Sequence, residues 1–327
     1  MPAPLTLERQ TQSKPPAERK KKDTFLREIM KNRYLYLLTL PGILFLIVFN
    51  YLPMAGLYMA FVDYNPMAGL YGLKSEFVGL MNFKFFFTSN DWITVTINTI
   101  YLNILFIITG LAVQMFMAIG LNEIGSKTVK KIAQSFMFLP NFISWTVISI
   151  FSIALFSTDA GVINHVLGLF GMEPVNYYQD ASWWPFILVM LRLWKGVGFG
   201  TVIYLATISG LDQEMYEAAR IDGANRFQSI TRITLPMLKT TTLMLFILSI
   251  GGIFYGDFGM IYALVGDNPV LRPTTDVIDT YVYRALRMNN DIGMSSAVGL
   301  FQAVVGFILV LSANGITRKL SKDSALF

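Results

Sequence analysis

Cysteine is absent from the 327-residue chain, histidine occurs once, and charged residues make up only 14% of the composition. Without cysteine the chain can form neither a disulfide framework nor a Cys-ligated metal or haem site. The single histidine, His165, argues against a histidine-based metal site and against a Ser–His–Asp triad. No stretch matches a phosphate-binding loop, a dinucleotide fingerprint or a zinc-protease helix. We therefore predict a non-catalytic chain that binds no cofactor itself, and any energy that it needs must come from elsewhere.

Long hydrophobic runs fill much of the sequence. Hydrophobic residues account for 54% of the chain and the mean hydropathy is +0.51, while the charged fraction lies far below the roughly 25% of soluble domains. A bilayer-crossing helix needs roughly 20 predominantly apolar residues. The stretches that meet this requirement are 34–62, 94–122, 132–157, 184–210, 238–264 and 295–316. The sequence therefore predicts an all-α integral membrane protein with a domain of six transmembrane helices at 34–316.

The distribution of lysine and arginine predicts the orientation of these spans. With the N-terminus in the cytoplasm, nineteen of the 26 basic residues lie on the inner side and five on the outer side, while Arg192 and Lys195 lie within a span. Positive residues accumulate on the cytoplasmic side of membrane proteins. We therefore expect a basic cytoplasmic tail at 1–33, a cytoplasmic loop at 211–239 and a cytoplasmic C-terminal tail at 317–327. The same placement indicates that the net charge of +5 serves topology and not nucleic-acid binding.

The loop at 211–239 has the local pattern of two helices joined by a tight turn. Asp212 and Glu214 place negative charge in a first helical turn, where it interacts favourably with the helix dipole. Gly223 suits the position after a helix, because it adopts a positive φ without penalty. Asn225 and Gln228 have the spacing of a capping box that begins a second helix. From the residues alone, the segment fits an amphipathic helix on the bilayer surface and a docking element for a cytoplasmic partner equally well.

The spacing of residues in this loop resembles a known signature. Glu217-Ala218-Ala219, three residues, Gly223, nine residues and then Ile233-x-Leu235-Pro236 fill every defining position of the EAA motif. This motif is typical of the membrane subunits of bacterial binding-protein-dependent ABC importers. The resemblance implies a type I ABC importer transmembrane domain, in which the loop is a coupling-helix insert that enters a cleft on an ATP-hydrolysing subunit. The residues that it places at this ATPase interface are Glu217, Ala218, Ala219, Gly223, Ala224, Leu235 and Pro236.

The likeness extends beyond the loop. The stretches 134–149, 194–224 and 295–302 look like those of permeases for complex oligosaccharides such as aldouronates or alginate. The resemblance implies a heteromeric complex in the bacterial inner membrane. Its other members would be a homologous second permease subunit, a cytoplasmic ABC ATPase dimer that carries ATP and Mg, and an extracytoplasmic solute-binding protein. The cargo would be an oligosaccharide, with an acidic, uronate-containing one such as alginate as the candidate.

Three charged residues fall inside predicted spans: Arg192 and Lys195 in the fourth, and Asp257 in the fifth. Charges at that depth cost about 2.5–3.5 kcal/mol each and normally face a bundle interior or an aqueous cavity. In one interpretation they are structural, with Asp257 paired to a cation or Lys195 bound to backbone carbonyls. In the other, they line a substrate pathway that attracts an acidic sugar, beside the aromatic residues Trp194 and Tyr255.

An ATP-independent secondary transporter or channel for a small polar solute is the alternative function. It would need an inverted repeat or a relay of carboxylates within the membrane, and the sequence has neither pattern. We therefore predict a permease subunit of an ATP-driven oligosaccharide importer.

Overall fold

A computed structural model describes residues 31–320. The chain divides into two compact units, 1–55 and 56–327. Of the predicted tails, residues 1–30 and 321–327 lie outside the described residues, whereas 317–320 are helical.

The described part of the first unit is helical, and that of the second consists of helices and a small β-ribbon. In the first unit the elements are α1 (Arg33–Leu46), a π-helical turn (Ile47–Tyr51) and a short helical turn (Leu52–Met54). From residue 55 onward they are a 3₁₀ segment (Ala55–Phe61), β1 (Val62–Asp63), 3₁₀ turns (Pro66–Ala68 and Leu70–Gly72), β2 (Glu76–Phe77), α2 (Met81–Thr88), α3 (Trp92–Glu123), α4 (Lys127–Phe138), a 3₁₀ turn (Leu139–Phe142), α5 (Trp145–Phe156), α6 (Val162–Leu169), a 3₁₀ turn (Ala181–Trp183), α7 (Trp184–Ser209), α8 (Gln213–Ile221), α9 (Arg226–Ile250, with a π-turn at Ile230–Thr234), α10 (Phe258–Val265), α11 (Arg272–Thr275), α12 (Ile278–Asn289) and α13 (Ile292–Leu320). The strands β1 and β2 pair antiparallel, with Val62 opposite Phe77.

Five helices in the described part are long and apolar enough to cross a membrane. They are Arg33–Phe61, Trp92–Glu123, Ala181–Ser209, Arg226–Ile250 and Ile292–Gly315. A sixth crossing is formed if the bent pair Lys127–Phe142 and Trp145–Phe156 counts as one span. The prediction of an all-α membrane protein is therefore confirmed, although two of the predicted spans have a different form.

The third predicted span, 132–157, is not one straight helix. Its two halves meet at an angle of 98°. Pro140 brings no backbone N–H to the helical ladder near this point. Ser144 then begins α5, because its side-chain oxygen accepts a hydrogen bond from the N–H of Val147 at 3.3 Å. The expectation of a continuous span is wrong here, since hydropathy carries no information on such a break.

The fifth predicted span, 238–264, begins earlier than expected and is interrupted. Helix α9 starts at Arg226 and ends at Ile250. The chain then passes through turns, called here the interrupted segment (residues 251–257), before α10 begins. Asp257 therefore lies not in the middle of a span but at the N-cap of α10, where its Oδ1 accepts the N–H of Met260 at 3.1 Å.

Pro236 lies inside the continuous helix α9 and not in the first turn of a new one. The preceding π-turn lets the N–H of Leu235 donate to the carbonyl of Ile230, five residues back. A regular helix excludes proline because its ring meets the carbonyl four residues earlier. The wider turn accommodates the ring, so the helix continues through this position.

Glycines allow α7 to pack tightly against its neighbours. A Cβ at Gly200 would collide with the side chain of Gln114 on α3, and one at Gly198 would collide with the backbone of Met137 on α4. Small residues serve this purpose at helix interfaces in membranes. A buried apolar cluster that includes Trp184 also holds α3, α5, α7 and α10 together. This packing fixes the surroundings of the charged residues described next.

Candidate functional site

The loop between α7 and α9 begins with a helix, as the sequence predicts, although Asp212 lies at its N-cap and only Glu214 in its first turn. The side chain of Asp212 accepts a hydrogen bond from the N–H of Glu214 at 2.9 Å and so caps α8. Gly223 follows the helix with a φ of +82°. The N–H of Ala224 then returns to the carbonyl of Ala219 at 2.8 Å, which is the bonding of a Schellman motif.

Polar contacts attach this loop to the long helices. Asn225 and Gln228 form the predicted capping box, with both hydrogen bonds at 2.8 Å, and so start α9. The hydroxyl groups of Tyr216 and Thr234 lie 2.9 Å apart and join α8 to α9. Arg226 lies 3.8 Å from a carboxylate oxygen of Glu123, at the end of α3. The loop is therefore a folded extension of the bundle and not a free linker.

The predicted ATPase-interface residues fall into two groups by exposure. Glu217, Ala218, Gly223 and Pro236 are exposed, whereas Ala219, Ala224 and Leu235 are half-buried. Glu217 to Ala224 lie on α8 and the turn that follows it. Leu235 and Pro236 lie further along, beyond the π-turn of α9. Residues 217–224 of the motif are therefore close together on α8 and its turn. Leu235 and Pro236 lie apart from them, in the helix that leads into the bundle.

Two large apolar side chains extend the exposed surface of the loop. Ile221 has 87% and Phe227 73% of its surface exposed. The EAA signature includes neither of these two residues. Apolar side chains exposed on a loop outside the spans offer area that a partner can bury. The role of Ile221 could have been predicted from its position, because it lies two residues before Gly223 and between the EAA residues and the turn.

A cavity of about 470 Å³, called here the central cavity, lies between α3, α7, α9 and the interrupted segment. Its lining includes Asn103, Phe106, Gln114, Arg192, Ser249, Tyr255 and Asp257. The guanidinium group of Arg192 donates to Asp257 at 3.1 Å, and it lies 4.5 Å from the centre of the Phe106 ring. The two charged side chains remain 38% and 31% exposed. The ion pair therefore joins α7 to the interrupted segment and still faces the cavity.

Lys195 has a different environment. Its Nζ donates to the carbonyl oxygens of Asn141 at 2.8 Å and Ile143 at 2.5 Å, where α4 gives way to α5. Neither Lys195 nor Trp194 is among the described residues that line the central cavity. The structure thus brings together Arg192, Asp257 and Tyr255, and it places Lys195 at the bend of the third span.

Amide side chains hold the backbone of the interrupted segment. Asn103 on α3 donates to the carbonyls of Ile253 at 3.1 Å and Tyr255 at 3.0 Å, and Gln302 on α13 donates to that of Phe254 at 2.7 Å. Backbone groups at membrane depth must be satisfied inside the protein, because lipid offers them no partner. The charged and aromatic residues singled out within the predicted spans do not include these amides. Their presence in otherwise apolar runs was the available signal.

Asp279 on α12 supports the same segment from the other side. Its carboxylate accepts the N–H of Gly256 at 2.5 Å and the side-chain amide of Gln302 at 3.2 Å. Burial raises the pKa of this carboxyl group, and the hydrogen bonds from Gly256 and Gln302 lower it by less. Asp279 is a positioning residue, since it fixes the backbone directly before Asp257.

Residues 110–322 match the family described as the binding-protein-dependent transport system inner membrane component. The chain belongs to this family. The resemblance inferred from the EAA residues is therefore confirmed, and with it a multi-pass protein of the inner membrane.

Similar proteins align with nearly the whole length of this chain. Two come from Bacillus subtilis (strain 168): Protein LplB is 37% identical over 92% of this chain and 93% of its own length. The polygalacturonan/rhamnogalacturonan transport system permease protein YteP is 35% identical over 94% of each chain. A crystal structure of a bacterial alginate ABC transporter in complex with alginate pentasaccharide-bound periplasmic protein contains a chain that is 32% identical, with a TM-score of 0.82 over 91% of this chain and 98% of that one. The chain therefore has the fold of an ABC importer permease.

Proposed function

We propose that this chain is the permease subunit of an ATP-driven importer that moves an acidic, uronate-containing oligosaccharide across the bacterial inner membrane. The observation that carries the proposal is the folded loop at 211–239, called here the EAA loop. It has an exposed surface and belongs to a chain of the binding-protein-dependent transport family. The relatives support the cargo, because one is a polygalacturonan/rhamnogalacturonan permease and another is an alginate transporter. Both of those polymers contain uronate residues.

The exposed surface formed by α8, the turn at Gly223 and the start of α9 is the part that would contact the ATPase. Ala218 allows close approach, Ile221 and Phe227 offer apolar area, and Glu217 supplies a carboxylate for a polar anchor. Gly223 makes the turn that presents these side chains. The hydrogen bond between Tyr216 and Thr234 would transmit movement of α8 to α9.

The central cavity is the part that would carry the substrate. Its wall offers amide and hydroxyl groups, an aromatic ring at Tyr255 and the positive charge of Arg192. Sugars need hydrogen-bonding groups and apolar ring faces, and a uronate also needs a cation. A homologous second subunit would supply the other wall, and an extracytoplasmic binding protein would deliver the cargo, as in the alginate complex, where a periplasmic protein carries the pentasaccharide.

Reconstitution of the whole complex in proteoliposomes tests this proposal. Uptake of a labelled oligouronate is expected only with ATP on the ATPase side and loaded binding protein on the other side. The purified chain without ATPase subunits is expected to hydrolyse no ATP. Uptake by this chain alone in ATP-free vesicles would instead establish a secondary transporter or channel.

The same vesicles test the anchor role of Glu217. Glu217→Ala is expected to lower ATP-coupled uptake about tenfold, the loss that follows when a hydrogen bond to a charged group is removed. Glu214→Ala is the matched control, because it removes an exposed carboxylate from the first turn of the same helix. Normal coupled uptake by the Glu217 variant would exclude it as the anchor.

A further inference from the structure

A second cavity, separate from the central one, lies between α10 and α12. Its volume is about 290 Å³, just below the range of about 300–1,000 Å³ for sites that enclose a whole drug-sized ligand. The side chains that matter in its wall are those of Tyr262, Asp267, Thr280, Tyr283, Arg284 and Arg287. It lies at the opposite end of α9 from the EAA loop, since α9 leads from that loop to the interrupted segment and then to α10.

Helix α10 connects the two cavities. Asp257 at its N-cap lines the central cavity, and Tyr262, five residues further on, lines the second one. A helix rises 1.5 Å per residue, so about 7–8 Å separates these positions along the axis. A chain of linked sugar rings is longer than this axial separation, whereas a single ring is not.

Two tyrosine rings, Tyr262 and Tyr283, line the second cavity, and Phe258 packs against both of them. Phe258 and Tyr262 are stacked, with ring centres 5.1 Å apart and an angle of 15° between the planes. Tyr283 meets both rings with centres at 4.9 Å. Because the rings hold one another, they present a fixed surface on which the apolar face of a sugar ring can pack.

The arginines of this region differ in whether they already have a carboxylate partner. Arg284 binds the buried Asp276 at 2.5 Å, and Arg272 binds Asp267 at 2.6 Å. Burial opposes the charged form of Arg284, but Asp276 and Asp267 outweigh it and raise the pKa of this group. These two arginines are committed to ion pairs within the protein.

Arg287 is different. Its side chain is exposed at the cavity, and none of the ion pairs between the described residues includes it. A guanidinium group binds a carboxylate through two parallel hydrogen bonds. The cavity thus offers one uncommitted guanidinium beside a fixed aromatic wall.

We propose that the second cavity is an outer subsite that holds one uronate residue of the cargo, with its carboxylate on Arg287 and its ring against Tyr262 and Tyr283. The inference rests on the proposed function and deepens it. The subsite positions the oligosaccharide so that the next residues of the chain lie toward Arg192 in the central cavity.

The test uses the complete importer in proteoliposomes, with an oligogalacturonate or oligoalginate that the unmodified complex takes up. Arg287→Gln is expected to lower uptake about tenfold, and Arg287→Lys is expected to restore part of it, because the charge returns without the bidentate geometry. Lys74→Gln is the control, since it removes an exposed positive charge from the same predicted side without touching the cavity. In parallel, the concentration of binding protein that half-maximally stimulates ATP hydrolysis is expected to stay unchanged in all variants.

Three outcomes would overturn the subsite. Unchanged uptake by Arg287→Gln would exclude it directly. A parallel shift in the binding-protein concentration would show that this surface docks the binding protein instead. Import of neutral oligosaccharides alone by the unmodified complex would overturn both the acidic cargo and the subsite, whereas acidic import that does not depend on Arg287 would overturn only the subsite.

Discussion

At the scale of single residues, Arg192 and Lys195 lie three positions apart on α7 and have different roles. Lys195 donates to two carbonyls at the bend between α4 and α5, so its positive charge is compensated by backbone dipoles. Arg192 pairs with Asp257 and also lines the central cavity. The sequence left a structural and a pathway interpretation open for both. The distances favour the structural one for Lys195, and they make Arg192 the cation that could meet a substrate.

Replacement of Arg192 tests its part in the pathway. Arg192→Gln keeps a donor toward Asp257 but removes the positive charge from the cavity wall. We expect uptake of an oligouronate to fall about tenfold, as when a hydrogen bond to a charged group is lost, while the yield of assembled complex stays near that of the unmodified chain. Transport assays and size-exclusion chromatography of the purified complex measure the two effects.

A double variant separates charge from structure at this pair. Arg192→Gln with Asp257→Asn removes the carboxylate that the single variant leaves unpaired. If the Asp257 charge alone were harmful, uptake would return in the double variant. Assembly and uptake that fell together in both variants would show that the pair is purely structural.

At the scale of helices, the sequence predicted the helix starts and the turn that depend on residues close together in the chain. The cap at Asp212, the turn at Gly223 and the box formed by Asn225 and Gln228 all involve residues within a few positions of one another. The breaks in the third and fifth spans are of another kind.

Those breaks are stabilised by side chains from distant parts of the chain. Lys195 lies more than fifty positions from the carbonyls that it binds, and Asn103 lies about one hundred and fifty positions from those that it binds. The mean hydropathy of a stretch of residues stays high on both sides of a break, so it predicts a continuous helix. The composition of the central cavity could not be predicted for the same reason, because the interrupted segment forms part of its wall.

The glycines of α7 provide a test of helix packing. Gly198→Ala would place a methyl group against the backbone of Met137, and overpacking of this kind destabilises by about 1–3 kcal/mol. Gly196→Ala, half a turn away, meets nothing within 4 Å and is expected to be neutral or slightly stabilising. The thermal melting temperature of the purified complex measures both. Equal melting of the two variants would contradict the close approach of α4 and α7.

At the scale of the whole second unit, helix α9 links the EAA loop to the central cavity. Helix α9 has 25 residues and is about 37 Å long. Near its start Thr234 contacts Tyr216 of the EAA loop, and near its end Leu248 and Ser249 line the central cavity. A stiff element that touches both sites can convert movement of the loop into a change of the cavity wall. This is the geometry that a two-state switch between inward and outward openings needs.

The orientation of the spans remains a prediction, and the absence of cysteine makes its test direct. Any cysteine introduced into the chain would be its sole reactive thiol. Ile221 in the EAA loop is 87% exposed, and Met67 in the predicted outer loop is 94% exposed, so each position is open to a reagent. In cells that express the chain without its ATPase subunits, we expect a membrane-impermeant maleimide to label Met67→Cys in intact spheroplasts and to label Ile221→Cys only in inverted vesicles. Equal labelling of both variants in detergent is the control for accessibility. The reverse pattern would place the EAA loop outside the cell, where it could not meet an ATPase, and would overturn both the orientation inferred from the basic residues and the coupling role of α8.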